Sequence, residues 1–229
     1  MIGELTVVIP AYNEAEGIAG TIDGLRQVLS LLPLRFEIIV VDDGSSDGTA
    51  SVLASMANGL RVLRNPVNQG YGAALKRGIA HASFDYVLIT DADESYPPSC
   101  ARQLVLGMDD YDMYVGARRL SEIHNPRLWN LSKVGMQSLL SLLLGVRIPD
   151  LNSGARIFKR ELAAELAPIL SDRFSYTTGL TIAALRAGRR VGFTTVEYRR
   201  RKGSSKVRPL SFTTSFLRSV VKAFRGRRG

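Results

Sequence analysis

The chain of 229 residues is 45 % apolar and carries a formal net charge of +9, which excludes a disordered polymer and fits one domain with a substantial core. Its single cysteine, Cys100, excludes an internal disulfide framework and a cysteine-based zinc site, and suits a reducing compartment. The charge is uneven: residues 199–229 hold 11 Lys and Arg and no acid, leaving 19 basic against 21 acidic residues before them, so a near-neutral body ends in a cationic tail.

In chain order, the first predicted element is the strand "LTVVIPA" (5–11). No basic segment with an apolar run precedes it, so no signal peptide is expected and the cytoplasm is the default. "AEGIAGTIDGLRQVLSLL" follows with helical spacing, then "EIIVVDD" (37–43) as a second strand and "SDGTASVLASMANG" as a second helix, its N-cap region at Ser45–Asp47. "QGYGAALKRGIAHA" reads as a third helix, "DYVLITD" (85–91) as a third strand and "DMYVGARR" as a further one. Nearly continuous apolar strands alternating with amphipathic helices imply a doubly wound α/β domain, its mostly parallel sheet covered on both faces.

After Arg119 the pattern turns irregular. "LWNLSKVGMQSLLSLLLGV" then forms a largely apolar helix, too short and interrupted to span a bilayer, which belongs either to the core or to a membrane surface. Residues 211–229 place Phe212, Phe216, Val220 and Phe224 at spacings of four, with Arg218, Lys222 and Arg225 interleaved. That is an amphipathic basic helix, suited to an anionic membrane surface or to packing on the domain.

The polar residues gather at the carboxyl ends of the predicted strands: Tyr12, Asn13 and Glu14 after the first, Asp42 and Asp43 on the second, Asp91 and Asp93 on the third. In open α/β sheets that edge binds ligands. "VLITDADESYPP" (87–98) concentrates Asp91, Asp93 and Glu94 directly after a buried run. A solvated turn would account for one such cluster, but three on one rim favour a hard divalent cation and a nucleotide.

"VVIPAYNE", "IIVVDDGSSDGT", "NQGYGAALKRGI", "DADESYPP", "VGAR", "DLNSGARIFKR" and "RRKGSSK" occur in the order and spacing of the inverting GT-A glycosyltransferases of family 2. The chain resembles most the dolichol-phosphate mannose synthase, or polyprenyl-phosphate glycosyltransferase, branch over residues 4–208. The resemblance implies a GT-A domain over residues 1–208, a Rossmann-like sheet flanked by helices, with the basic tail at 209–229. It implies that Pro10, Tyr12, Glu14, Val41 and Asp43 hold the base and ribose of a nucleotide-sugar donor. Asp91, Ala92 and Asp93 would form the D-x-D that holds Mg²⁺ or Mn²⁺ and the diphosphate. Arg118 would meet donor or acceptor phosphate, and Ser153, Arg200 and Lys206 the acceptor's phosphate, Arg offering a fork and Lys a point charge. The segments Leu120–Arg127 and Lys202–Arg208 would be lids that order on binding.

Two departures carry information. Ser95 stands where many members have a glutamine that contacts the metal, so its hydroxyl would serve directly or through water. Members acting on hydroxyl groups commonly place a base, and other members an acidic residue, in a late helix, whereas "FSYTTGLTIAALRAGRRVGFTTV" has no acid between Asp172 and Glu197. A phosphate acceptor is already anionic and needs no base, which points to a polyprenyl phosphate. Asp150 remains either a base or an orienting residue for the acceptor loop, and joins Asp91 and Asp93 as a catalytic candidate. A hydroxyl acceptor is the closer alternative. A haloacid dehalogenase-like phosphatase, suggested by "DADES", usually carries its motif on the first strand. A nucleic-acid-binding module lacks stacking aromatics here, and no nucleic acid is expected. No motif encodes the sugar, the base or the oligomeric state.

Overall fold

Every residue of β1 (Glu4–Ala11) after Glu4 is buried, as a strand must be when it has a neighbour on each side and helices on both faces. The computed structural model describes residues 2–56, 58–119 and 127–199. In it, β1 pairs in parallel with β2 (Arg35–Asp42) and with β4 (Tyr86–Ile89), and β2 pairs in parallel with β3 (Leu60–Arg64). β6 (Arg156–Lys159) inserts antiparallel between β4 and β5 (Met113–Arg118), and β7 (Val191–Val196) closes the far edge parallel to β5. The result is a seven-stranded sheet in the order β3-β2-β1-β4-β6-β5-β7, parallel except for β6.

Alternation along the strands divides the core. Val7 and Ile9 face α1 (Ile18–Leu29) and α4 (Pro98–Gly107), where Ile18, Ile22, Leu25, Leu104 and Val105 are buried. Val8, Val87 and Ile89 face the other side, against Leu75 and Ile79 of α3 (Tyr71–Ala80), Leu162 of α6 (Arg160–Leu166) and Leu180 of α7 (Tyr176–Arg186). α2 (Thr49–Ser55) covers β2 and α1 through Leu53. The expected α/β domain with a sheet covered on both faces is therefore present.

The structure adds elements that the apolar pattern did not signal. β3, "LRVLR", is an edge strand with two exposed arginines, so it lacks the apolar run of a central strand. β6 spans only four residues and gains its place by pairing on both sides. α4 starts at a proline, a residue whose fixed φ suits the first turn of a helix. The apolar stretch after residue 127 is α5 (Arg127–Leu144). Leu140 packs into the core, as one of the two expectations had it, while Leu139, Leu142 and Leu143 are exposed. Among the described residues no helix is long and apolar enough to cross a membrane.

Candidate active site

The carboxyl ends of β1, β2, β4 and β5 and the start of β6 share one edge of the sheet, by the parallel and antiparallel registers above. Two loops there are stitched together. Asn13 adopts a left-handed φ of 54°, tolerable for asparagine, and its backbone N–H donates to Ser45 Oγ at 2.9 Å while its Oδ1 accepts from the Ser46 N–H at 2.8 Å. The Glu14 N–H donates to Thr49 Oγ1 at 2.9 Å. This leaves Tyr12, Asn13 and Glu14 half-buried at the rim.

Asp43 is buried beneath them and serves as a knot. Its carboxylate accepts from Asn65 Nδ2 at 2.6 Å, from the Gln69 N–H at 2.9 Å and from the Gly70 N–H at 2.8 Å. Gly70 has φ 110°, a conformation that L side chains rarely adopt, and this lets its amide face Asp43 as α3 begins. Of the other residues expected at the nucleotide-sugar, Pro10 and Val41 at the nucleoside and Ala92 in the D-x-D are also buried. Val41 packs with Ile39 against Ala74 of α3, so it offers the site a wall and no side-chain contact.

Asp91 is held from two directions. The Tyr71 hydroxyl, from the first turn of α3, donates to Asp91 Oδ1 at 3.1 Å, and its ring stacks on Phe174 with centroids 5.5 Å apart. Burial first, and then the Asp91 charge, push the Tyr71 hydroxyl well above its ordinary pKa, which keeps it a donor. On the other side, a Cβ at Gly154 would lie 2.3 Å from Asp91 Oδ2. Gly154 is therefore the only residue type that fits there without displacing the carboxylate. Gly154→Ala is expected to lower catalytic efficiency by about 100-fold, the scale on which misplacing a reacting group by ~1 Å acts, while leaving the unfolding midpoint nearly unchanged. Steady-state kinetics beside a thermal melt would check this.

The turn that carries Gly154 is tied to the D-x-D loop by Tyr96. Its hydroxyl accepts from the Gly154 N–H at 2.9 Å and lies 3.1 Å from Ser153 Oγ. Asp93 Oδ1 accepts from the Ser95 N–H at 3.1 Å, and the Ser95 carbonyl accepts from the Arg199 N–H at 2.8 Å. Ser95 and Ser153 are both wholly buried. Neither side chain lines the open cleft, and the roles expected for them at a metal and at an acceptor phosphate would require the loop to move.

Arg118 and Asp150 form a bidentate pair, Nε to Oδ2 at 2.7 Å and Nη2 to Oδ1 at 3.0 Å. The guanidinium lies over the Tyr198 ring, 5.2 Å from its centroid. Burial, the largest single influence, would raise the Asp150 carboxyl, but the Arg118 charge together with the hydrogen bonds from Arg118 and the Asn152 N–H outweighs it and holds the acid below the ordinary carboxylate range. An acid so stabilised as its anion is a poor proton acceptor. Of the two roles expected for Asp150, its surroundings fit the orienting one: it also accepts from the Asn152 N–H at 2.9 Å. Asn152 Oδ1 in turn accepts from Thr178 Oγ1 on α7 at 2.7 Å. α5 is pinned to the same loop, since Gln137 Nε2 donates to the Ile148 carbonyl and Ser141 Oγ accepts from the Ile148 N–H.

Arg200, Lys206, the expected lid segments beyond Arg119 and Lys202, and the basic tail lie outside the described residues. Sequence reading did not single out Tyr71, Tyr96 or Gly154. All three lay within quoted motifs; in the first motif no residue drew a role, and in the other two the roles went to their neighbours.

The donor set fits a hard cation shared with a ligand. Asp91 and Asp93 supply carboxylates, and among the described residues no cluster of three or more His, Cys, Asp or Glu forms a complete protein cage. Mg²⁺ and Mn²⁺ are commonly held in that incomplete way, with diphosphate oxygens and water filling the remaining positions. The close fit of Gly154 around Asp91 is what a pre-positioned ligand carboxylate requires.

Comparison with known proteins gives the family and the fold. The family described as Glycosyl transferase family 2 matches residues 6–167. A dolichyl-phosphate hexose transferase of Haloferax volcanii is 28 % identical over 96 % of this chain and 93 % of its own length. A dolichyl-phosphate beta-glucosyltransferase of Dictyostelium discoideum is 26 % identical over 95 % of this chain and 73 % of its own. Among solved structures, glucosyl-3-phosphoglycerate synthase from Mycobacterium tuberculosis, in complex with Mn²⁺, UDP and phosphoglyceric acid, superposes with a TM-score of 0.74 and 26 % identity, covering 99 % of this chain and 79 % of that one.

Proposed function

Starting from a chain that belongs to glycosyl transferase family 2 and has the GT-A fold, we propose that it moves one sugar from a nucleotide-sugar to a polyprenyl phosphate, with inversion at the anomeric carbon. The observation that carries the acceptor class is the chemistry of α7. The helix that faces the acceptor loop presents Thr177, Thr178 and Thr181, all buried, and no acid. Asp150, the nearby carboxylate on the loop itself, is neutralised by Arg118. Among the described residues around that loop, a hydroxyl acceptor would find no group poised to take its proton, whereas a phosphate oxygen attacks as an anion.

In this reading the acceptor oxygen forms a bond to the anomeric carbon while the bond to the nucleoside diphosphate breaks, and the diphosphate leaves with the electron pair. Asp91 and Asp93 would hold Mg²⁺ or Mn²⁺, which would supply positive charge where the diphosphate departs; the relative from Mycobacterium tuberculosis was crystallised with Mn²⁺. Tyr12, Glu14 and Asp43 line the nucleoside end, and Arg118 keeps the acceptor loop in register, with Arg200 and Lys206 as further phosphate contacts. Leu139, Leu142 and Leu143, exposed on α5 and coupled to that loop through Gln137 and Ser141, would meet the isoprenoid chain or the lipid surface. The reaction then takes place at a membrane surface, taken as its cytoplasmic face from the sequence expectation alone, with the cationic tail as a proposed second contact.

The test is transfer of labelled sugar from a panel of UDP- and GDP-sugars to farnesyl phosphate, farnesol and phosphoglyceric acid. Product from the lipid phosphate alone is expected. Equal or greater transfer to either hydroxyl acceptor would sink the acceptor class and return the reaction to base-assisted chemistry.

A further inference from the structure

Arg156, the first residue of β6, is fully buried, and among the described residues no carboxylate pairs with it. Nη1 donates to the Thr177 carbonyl and to Thr181 Oγ1, both at 2.8 Å, and Nη2 donates to the Ser153 carbonyl at 2.5 Å. Its Nε is buried without a partner. Burial lowers the guanidinium pKa, yet arginine does not lose its proton in proteins, so a full positive charge sits directly under the Ser153–Gly154 turn.

A buried cation without a counter-charge is costly, and in general such groups are paired. The surroundings of Arg156 are neutral where a partner would be expected. Tyr71, Tyr96 and Tyr176 act on it and are kept protonated by burial, α7 contributes threonines, and Asp150, the acid whose charge acts on it most, is already paired with Arg118. Above it lies the Ser153–Gly154 turn, whose Ser153 carbonyl accepts from Nη2; the Asp91 carboxylate beside Gly154 is the one assigned to the cation, which leaves an anionic headgroup to supply the compensating charge.

We propose that Arg156 is a positioning residue that sets acceptor class: its uncompensated charge favours an anionic headgroup over a neutral one at the Ser153–Gly154 turn. The inference rests on the acceptor reading above and deepens it. Threonines in place of an acid on α7 act twice, since they remove a proton acceptor and also leave Arg156 unneutralised. Both consequences select a phosphate. Because the guanidinium is shielded from solvent, its pull is little affected by salt, unlike that of surface lysines and arginines.

Thr181 offers a clean test, as its hydroxyl already touches the guanidinium. Thr181→Asp, close in volume, supplies the missing counter-charge, and Thr181→Val removes only the hydrogen bond. Binding of farnesyl phosphate and of farnesol is measured by calorimetry for the wild type and both variants, with a melt to verify folding. Wild type is expected to prefer the phosphate. Thr181→Asp is expected to weaken farnesyl phosphate about tenfold, the order expected for one charge several Å away at intermediate dielectric, with farnesol unchanged, and Thr181→Val to leave both unchanged. A folded Thr181→Asp that keeps the full preference overturns the inference while the acceptor reading stands; a wild type with no preference removes the acceptor reading itself. Should Thr181→Asp fail to fold, the wild type decides alone. A preference that survives roughly 1 M salt, where the Debye length is about 3 Å, supports the buried charge, and one that collapses there overturns it.

Discussion

Asp91→Asn is expected to abolish metal-dependent binding of the nucleotide-sugar and to reduce turnover by about two to three orders of magnitude, comparable to removing one group that stabilises charge developing in a transition state. The change is nearly isosteric. Asparagine Oδ1 can still accept from the Tyr71 hydroxyl, which stands 3.1 Å from Asp91 Oδ1, and it adds no atom beyond those Gly154 already accommodates. The fold should therefore persist, with an unfolding midpoint within a few degrees of wild type. What is lost is one of two carboxylate charges available to a divalent cation. Calorimetry of UDP- and GDP-sugars with Mn²⁺ and with chelator, on wild type and variant, measures this directly. A variant that keeps metal-dependent affinity would show that Asp93 and the substrate suffice for the ion, and that Asp91 acts only as a structural partner of Tyr71. Binding that is independent of metal in both proteins would remove the cation from the reading altogether.

The contrast between Asp91 and Asp43 shows where sequence reading reaches its limit. Both stand at carboxyl ends of apolar strands, and that placement followed from periodicity alone. Their partners did not. Asp43 accepts three hydrogen bonds from residues between Asn65 and Gly70, a segment that folds back only because β3 pairs on the outer edge of β2. β3 itself was illegible, since an edge strand with two exposed arginines in five residues has no apolar signature. Likewise the D-L-N-S-G motif was visible as a motif, but its meeting with Asp91 depends on β6 inserting antiparallel between β4 and β5, a pairing decided by long-range register and not by four residues of local pattern. The absence of an acid on α7 was legible as composition. That it leaves Arg156 bare required knowing which face of α7 packs on β6.

The largest effect on stability is expected at the Arg118–Asp150 pair, and its sign with pH follows from the direction of the Asp150 shift. The two side chains are 16 % and 6 % exposed, so removing either leaves a mostly buried charge; the usual cost is about 3–5 kcal/mol. Arg118→Met is expected to show that loss in denaturant unfolding at neutral pH. The double variant Arg118→Met with Asp150→Asn should recover much of it, because no bare charge remains. If the double variant were as unstable as the single one, the pair would owe its worth to packing against Tyr198 and not to charge. The pH dependence of stability follows from linkage. The folded Asp150 has a pKa below its ordinary value, so in the unfolded chain the carboxyl takes up its proton at a higher pH than in the native state. The stability it contributes is complete above the unfolded value of about 3.9 and is lost as pH falls through the lower folded value. Wild type should therefore lose stability in that acid window more steeply than the double variant, whose unfolding free energy lacks this component. The same pair decides what Asp150 does in catalysis. A proton-accepting base would give the rate an acid limb that tracks its pKa and vanishes in Asp150→Asn, whereas an orienting carboxylate held by Arg118 predicts a rate profile of unchanged shape and reduced height.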